Sequence, residues 1–191
     1  MSSDFLSKPC EAERFSLIYA HAQKNIGPAG VTVVLIRDEL LHTMPDNLPG
    51  WLDYRSHIKA HSNYNTPPVF AIYVVLLITR WLLQEIGGLA NMARINEQKA
   101  ALLYAALDES DGFYRGRAAL GDRSRMNVAF NLQNEHQERA FIKASQLAGF
   151  SGLSGHRAVG GVRASIYNGL ELSAVTQLTQ FMRDFAQKAK G

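Results

Sequence analysis

Lys24 stands in the segment Ala22-Gln23-Lys24-Asn25-Ile26-Gly27-Pro28-Ala29-Gly30, directly after a short aromatic and β-branched run and at the mouth of a Gly/Pro turn. Backbone geometry is fixed at such a place while the side chain is free to enter a cleft. An amine held there and partly desolvated acts as a nucleophile toward a carbonyl and forms a Schiff base. The same lysine left in water is a solvated surface charge, and spacing alone leaves both readings open. A second candidate is Asn65-Thr66-Pro67-Pro68, at the start of a long apolar stretch. Helix N-termini favour anions, but two prolines remove amide donors, so the Asn65 and Thr66 side chains would have to hold a phosphate. Simple capping of the helix by Thr66 is the other reading. A third cluster, Gly155-His156-Arg157-Ala158-Val159-Gly160-Gly161-Val162-Arg163, gathers a histidine and two arginines around a glycine turn. Guanidinium forks match carboxylates and phosphates bidentately, so a small dianionic acid suits it; a solvated hairpin tip is the alternative.

Other chemistries are absent from the text. His57 and His61 are four apart, as in a zinc pair on a helix, but no glutamate lies between them and no third ligand stands nearby. No nucleophile elbow, P-loop or dinucleotide fingerprint occurs. The single cysteine, Cys10, excludes a disulfide framework and a cysteine-based zinc site, and points to a reducing cytoplasm. Twenty Lys and Arg against 17 Asp and Glu leave a net charge of +3, too thin an excess for a nucleic-acid surface. The longest apolar run, residues 69–78, is half the ~20 residues a bilayer span needs, which argues against a membrane protein. With 191 residues and 47% hydrophobic content, the chain has the material for a buried core.

The elements that must position these residues follow from periodicity. Residues 15–20 and 31–36 predict strands, the second continuously apolar and therefore covered on both faces; two strands alone cannot bury it. Residues 44–68 are polar and proline-rich and predict long loops. A helix over 68–86 is apolar nearly all round and so is expected to be buried, ending at a Gly87-Gly88 hinge. A helix over 89–109 places Leu89, Met92, Leu103 and Leu107 inward. Beyond it, the alternation of residues 126–132 predicts a strand with one covered face. Asn134 caps a helix that Gly149 stops, residues 162–167 form a further strand, and a last helix carries Val175, Leu178, Met182 and Phe185. The fold class is α/β, with a boundary near Gly88.

Several of these segments, in order, resemble the phosphoserine aminotransferase family, class-V pyridoxal-phosphate enzymes of fold type I. They are Met1-Ser2-Ser3-Asp4-Phe5-Leu6-Ser7, the Lys24 segment, Tyr64-Asn65-Thr66-Pro67-Pro68, Arg123-Ser124-Arg125-Met126-Asn127-Val128, and Gly155-His156-Arg157 through Arg163-Ala164-Ser165-Ile166-Tyr167-Asn168. The resemblance implies that Lys24 carries pyridoxal 5'-phosphate and shuttles the proton, and that Gln23 contacts the cofactor phosphate. It implies that Asn65 and Thr66 reach the phosphate of a neighbouring subunit's cofactor in a homodimer with shared active sites. Arg163 is implied to hold the substrate α-carboxylate, and His156 and Arg157 the substrate phosphate. The implied reaction moves an amino group between glutamate and 3-phosphohydroxypyruvate, giving phosphoserine, with a related phosphorylated oxo acid of the pyridoxine route as a second substrate. The family carries a long segment ahead of the position of Met1, including most of the central sheet and the aspartate that pairs with the pyridine nitrogen. By resemblance, residues 1–88 are then the C-terminal part of a large cofactor-binding domain with an incomplete sheet. Residues 89–191 are a small α+β C-terminal domain, and the isolated chain is expected to be poorly active. A reading from a different class is a non-catalytic remnant that serves as a dimerising or anion-binding module.

Overall fold

Alternation governs β1 (Leu17–His21), where Ile18 and Ala20 are buried while Tyr19 and His21 are exposed. β1 pairs antiparallel with β2 (Thr32–Ile36), Leu17 opposite Ile36 and His21 opposite Thr32. The computed structural model describes residues 1–156 and 158–190, without the side chain of Lys190. Two-sided cover of the 31–36 run is not what forms: β2 has one ladder, Val33 and Val34 are half-buried, and Leu35 is exposed. An apolar run records what a strand can bury, and the neighbours that would bury it are a separate matter.

α1 (Asp38–Leu41) follows β2. The stretch 44–68, expected as long loops, instead folds on itself through a 3-10 turn at Gly50–Leu52 and α2 (Tyr54–Lys59). The cause is a side-chain staple that local propensity does not reveal. The Asp53 carboxylate accepts from the Arg55 amide and from its Nε, and Arg55 also donates to Asp46 at 3.2 Å and to the Pro45 carbonyl at 2.8 Å. Hydrogen bonding from Arg55 holds the Asp53 carboxyl below the usual carboxylate range. His57 bonds the Trp51 carbonyl through Nε2, and its ring packs edge-on against Tyr64. His61 lies beyond the end of α2 with φ +49°, so the two histidines do not share a helical face.

α3 (Val69–Gln84) starts at Pro68, whose carbonyl accepts from the Ile72 amide at 3.0 Å. Thr66 is two residues outside that N-cap, and the capping reading of Thr66 is thereby corrected. The expectation of a buried helix is corrected too. Ala71 and Leu82 are its buried residues, whereas Phe70 is 75% and Leu83 71% exposed. Gly87 and Gly88 take φ of +78° and +99°, a left-handed reversal that glycine adopts without penalty. Among the described residues, no single helix is long and apolar enough to cross a membrane.

The chain separates into two compact units, residues 1–89 and 90–191. The second is built on α4 (Leu89–Asp108), β3 (Arg115–Gly116), β4 (Asn127–Asn131), α5 (Glu135–Leu147), β5 (Ser154–His156), β6 (Gly160–Ser165) and α6 (Leu172–Lys190). Its antiparallel sheet has the order β3-β4-β6-β5. Val128, Phe130, Val162 and Ala164 face the core, together with Leu103 and Leu107 of α4, Phe141 of α5 and Val175, Leu178 and Met182 of α6. Tyr114 sits edge-on to Phe130 and Phe141, and its hydroxyl donates to the Met182 carbonyl at 2.8 Å. Burial raises its phenol well above the ordinary range. Asn134 caps α5 by accepting from the Gln137 amide, and Gly149 closes it at φ +89°, as the sequence predicts.

Candidate active site

In the first unit, the Lys24 turn is pinned on both sides. The Ala22 amide donates to the Val31 carbonyl at 2.9 Å, and the Ile26 and Gly27 amides close back onto the Ala22 carbonyl. Ala22 and Ile26 are buried, and the buried Asn25 side chain donates to the Phe5 carbonyl at 2.8 Å. Gln23 and Lys24 lie between these anchors and are exposed. A Cβ added to Gly27 would stand 3.0 Å from Val75 Cγ2 of α3, so glycine there lets the turn settle against the helix. One added to Gly30 would stand 3.9 Å from Pro68 Cβ. The end of the lysine turn thus abuts the start of α3, and Asn65-Thr66 directly precede that contact in the chain. Asn65 and Thr66 are exposed. Of the two readings that spacing left open for Lys24, the exposed one holds within this unit, and the chain presents the side chain on a turn pinned at both ends.

In the second unit, His156 and Arg163 share the β5–β6 hairpin, His156 opposite Gly160 and Ser154 opposite Val162. Glycines make it possible: a side chain on Gly155 would run into the Gly160 carbonyl, and Gly160 and Gly161 take φ of +69° and +74°. His156 is exposed, and its Nδ1 accepts from the Ala158 amide at 3.2 Å. Arg157 lies outside the described residues. Arg163 projects on the face of the sheet opposite the core, with Asn127, Asn131, Ser165 and Tyr167. Its Nε is buried and has no hydrogen-bond partner among the described residues. A buried donor without an acceptor is costly.

Two side chains with partners distant in the chain escape the sequence reading. Lys99 is fully buried, and its Nζ donates to the carbonyls of Ile166, Tyr167 and Leu170 at 3.1, 2.8 and 3.1 Å. It therefore ties the turn after β6 to α4, with Asn96 donating to Asn168 beside it. Burial pushes the Lys99 amine down to about 8. The signal was present in the spacing: Met92, Asn96, Lys99 and Leu103 fall on one helical stripe, so a polar pair interrupts an apolar face. Arg117 is the other, linked to Asn131 and to the Val159 carbonyl; nothing local marks it. Arg123 forms a bidentate pair with Asp108 at 2.6 and 2.7 Å and stacks over Tyr104. That pairing holds the Asp108 carboxyl below its usual range. Among the described residues there is no group of three or more metal-ligating side chains.

Residues 1–178 match the class-V aminotransferase family. The chain belongs to that family. It is similar to the phosphoserine aminotransferases of Geobacillus kaustophilus, 54% identical over 98% of this chain and 52% of that protein, and of Herpetosiphon aurantiacus, 51% identical over the same shares. Among solved structures, the phosphoserine aminotransferase from Bacillus circulans subsp. alkalophilus superposes with a TM-score of 0.95 at 48% identity, covering 100% of this chain and 52% of that one. The pyridoxal-phosphate-bound phosphoserine aminotransferase from Trichomonas vaginalis superposes with a TM-score of 0.89 at 39% identity, covering 96% and 52%. The chain spans about half the length of the curated relatives it matches. Its fold is the C-terminal part of the class-V aminotransferase fold.

Proposed function

We propose that this chain is the lysine-bearing half of a phosphoserine aminotransferase. It works with pyridoxal phosphate to move an amino group between glutamate and 3-phosphohydroxypyruvate. The observation that carries the reading is Lys24: an exposed amine on a tip whose flanks are locked by buried Ala22, Asn25 and Ile26, in a chain that follows phosphoserine aminotransferases along its whole length. Residues 1–88 act as the C-terminal part of the large cofactor-binding domain, and residues 89–191 as the small C-terminal domain.

The donor set fits the cofactor. Lys24 supplies a primary amine for covalent attachment. Gln23, Asn65 and Thr66 supply neutral amide and hydroxyl donors for a phosphate, and all four are exposed. The Thr66 hydroxyl is not spent on the cap of α3. When bound, pyridoxal phosphate supplies the electron sink that makes the substrate α-proton acidic. Lys24 Nζ then takes that proton and returns it, as a general base and acid must. Arg163 orients the α-carboxylate of both amino and oxo acid through its guanidinium, whose Nε is unpaired among the described residues, while His156 and Arg157 hold the substrate phosphate. The same residues accept the related phosphorylated oxo acid on the pyridoxine route. Asn65 and Thr66 serve the cofactor of a second subunit in a cytoplasmic homodimer.

The test is chemical. Pyridoxal phosphate is added to the chain, the adduct is reduced with borohydride, and the labelled peptide is mapped. Label concentrated on Lys24, and lost in Lys24→Ala, supports the reading; label scattered over other lysines ends it. The exposed apolar ridge of α3, with Phe70, Tyr73, Leu76 and Leu83, favours the second reading, a dimerising module. Self-association without cofactor attachment at Lys24 would select it.

A further inference from the structure

Arg117 follows β3, and its amide donates to the Ala129 carbonyl of β4 at 3.1 Å. Its guanidinium reaches two different elements. Nε donates to Asn131 Oδ1 at 2.6 Å, and Nη2 donates to the Val159 carbonyl at 2.9 Å, at the tip of the β5–β6 hairpin. Asn131 passes the constraint on: its Nδ2 donates to Glu138 Oε1 of α5, which also accepts from the Leu132 amide. The fit is close. A Cβ on Gly161 would lie 2.8 Å from both Arg117 Nη2 and Asn131 Nδ2, so the hairpin backbone lies directly on the clamp. β5 is an edge strand of three residues, and an edge hairpin rich in glycine has little of its own to hold it still.

We infer that Arg117 is a positioning residue for the β5–β6 hairpin, fixing the backbone that carries Arg163 on the polar face of the sheet. The inference rests on the site reading proposed for Arg163. Two acceptors on separate elements require a fork, which lysine, a single point donor, does not supply.

The test uses the 191-residue chain, with inorganic phosphate and 2-oxoglutarate as probes, in the unaltered protein and in Arg117→Ala, Arg117→Lys and Arg163→Ala. In Arg117→Ala the Val159 and Arg163 amides, hydrogen-bonded to His156 and Leu153 in the unaltered chain, exchange with solvent at least tenfold faster. Probe affinity falls at least fivefold, and the ligand-induced shift of the Arg163 Nε resonance is lost. The thermal midpoint moves by no more than about 2 °C, because Arg117 is exposed. Arg117→Lys keeps the charge but not the fork, and it does not recover affinity. Unchanged hairpin exchange in Arg117→Ala, or full recovery by Arg117→Lys, overturns the clamp and leaves the reading of Arg163 standing. Unchanged 2-oxoglutarate affinity in Arg163→Ala overturns both.

Discussion

Arg163 on β6 lies directly opposite Ala129 on β4, on the polar face of the sheet, with its guanidinium Nε buried and unpaired among the described residues. Ala129 sets only a methyl group beside it across the ladder. Arg163→Ala, assayed in a chain of the relatives' full length, should raise KM for glutamate and for the oxo acid together. The loss of a bidentate charged pair corresponds to about 2 kcal/mol, roughly thirtyfold. Ala129→Leu should do the same more weakly without unfolding the sheet. Unchanged Michaelis constants for both substrates in Arg163→Ala would contradict the carboxylate role.

Gly27 tests the link between the lysine turn and α3. Gly27→Ala brings a methyl to 3.0 Å from Val75 Cγ2, an overpacking that costs about 1–3 kcal/mol and displaces the Lys24 tip. Pyridoxal-phosphate labelling of Lys24 should fall, and Val75→Ala should restore it in the double variant. Labelling that drops equally with and without the Val75 change would show that the contact does not govern the turn.

Lys99 gives the second unit a pH signature. The unfolded amine titrates near 10.5 and the buried one at about 8. Between those values the unfolded chain holds a proton that the folded chain lacks, so stability rises with pH through the window. Below about 8 both forms are charged and the gain is gone. Thermal midpoints measured from pH 7.5 to 9.5 should climb, and the climb should disappear in Lys99→Met. That variant also leaves three carbonyls without their donor, a loss on the order of 3 kcal/mol. Above pH 10 the raised phenol of Tyr114 acts in the opposite sense, which is why the measurement stops short of it. A flat profile in the unaltered chain would refute the assignment.

Glutamate-dependent transamination by the 191-residue chain alone should be feeble. β2 has a ladder on one edge only, and α3 exposes most of its apolar circumference, so the surfaces that would enclose Lys24 are not covered by this chain. Turnover comparable to that of an enzyme of the relatives' length would show that the chain is sufficient by itself.

Much of the architecture was legible locally. The alternation of residues 126–132, the Asn134 cap with its Gly149 stop and the stripe of Val175, Leu178 and Met182 each encode their element through nearest neighbours. Local chemistry also singled out Lys24, Asn65, Thr66, His156 and Arg163 as candidates, because reactive side chains beside glycine and proline turns stand out in a sequence. Other features depended on partners distant in the chain. Periodicity registers apolarity without registering cover, so it mistook the exposed α3 for a core helix. The fold of residues 44–66 rests on Arg55 reaching back to Asp46 and Pro45. Lys99 meets its three carbonyls about seventy residues later, and Arg117 finds Val159 across 42. Hydrogen bonds of that span exist only once the chain has closed on itself, and a linear text can show the donor while the acceptor is chosen by the fold.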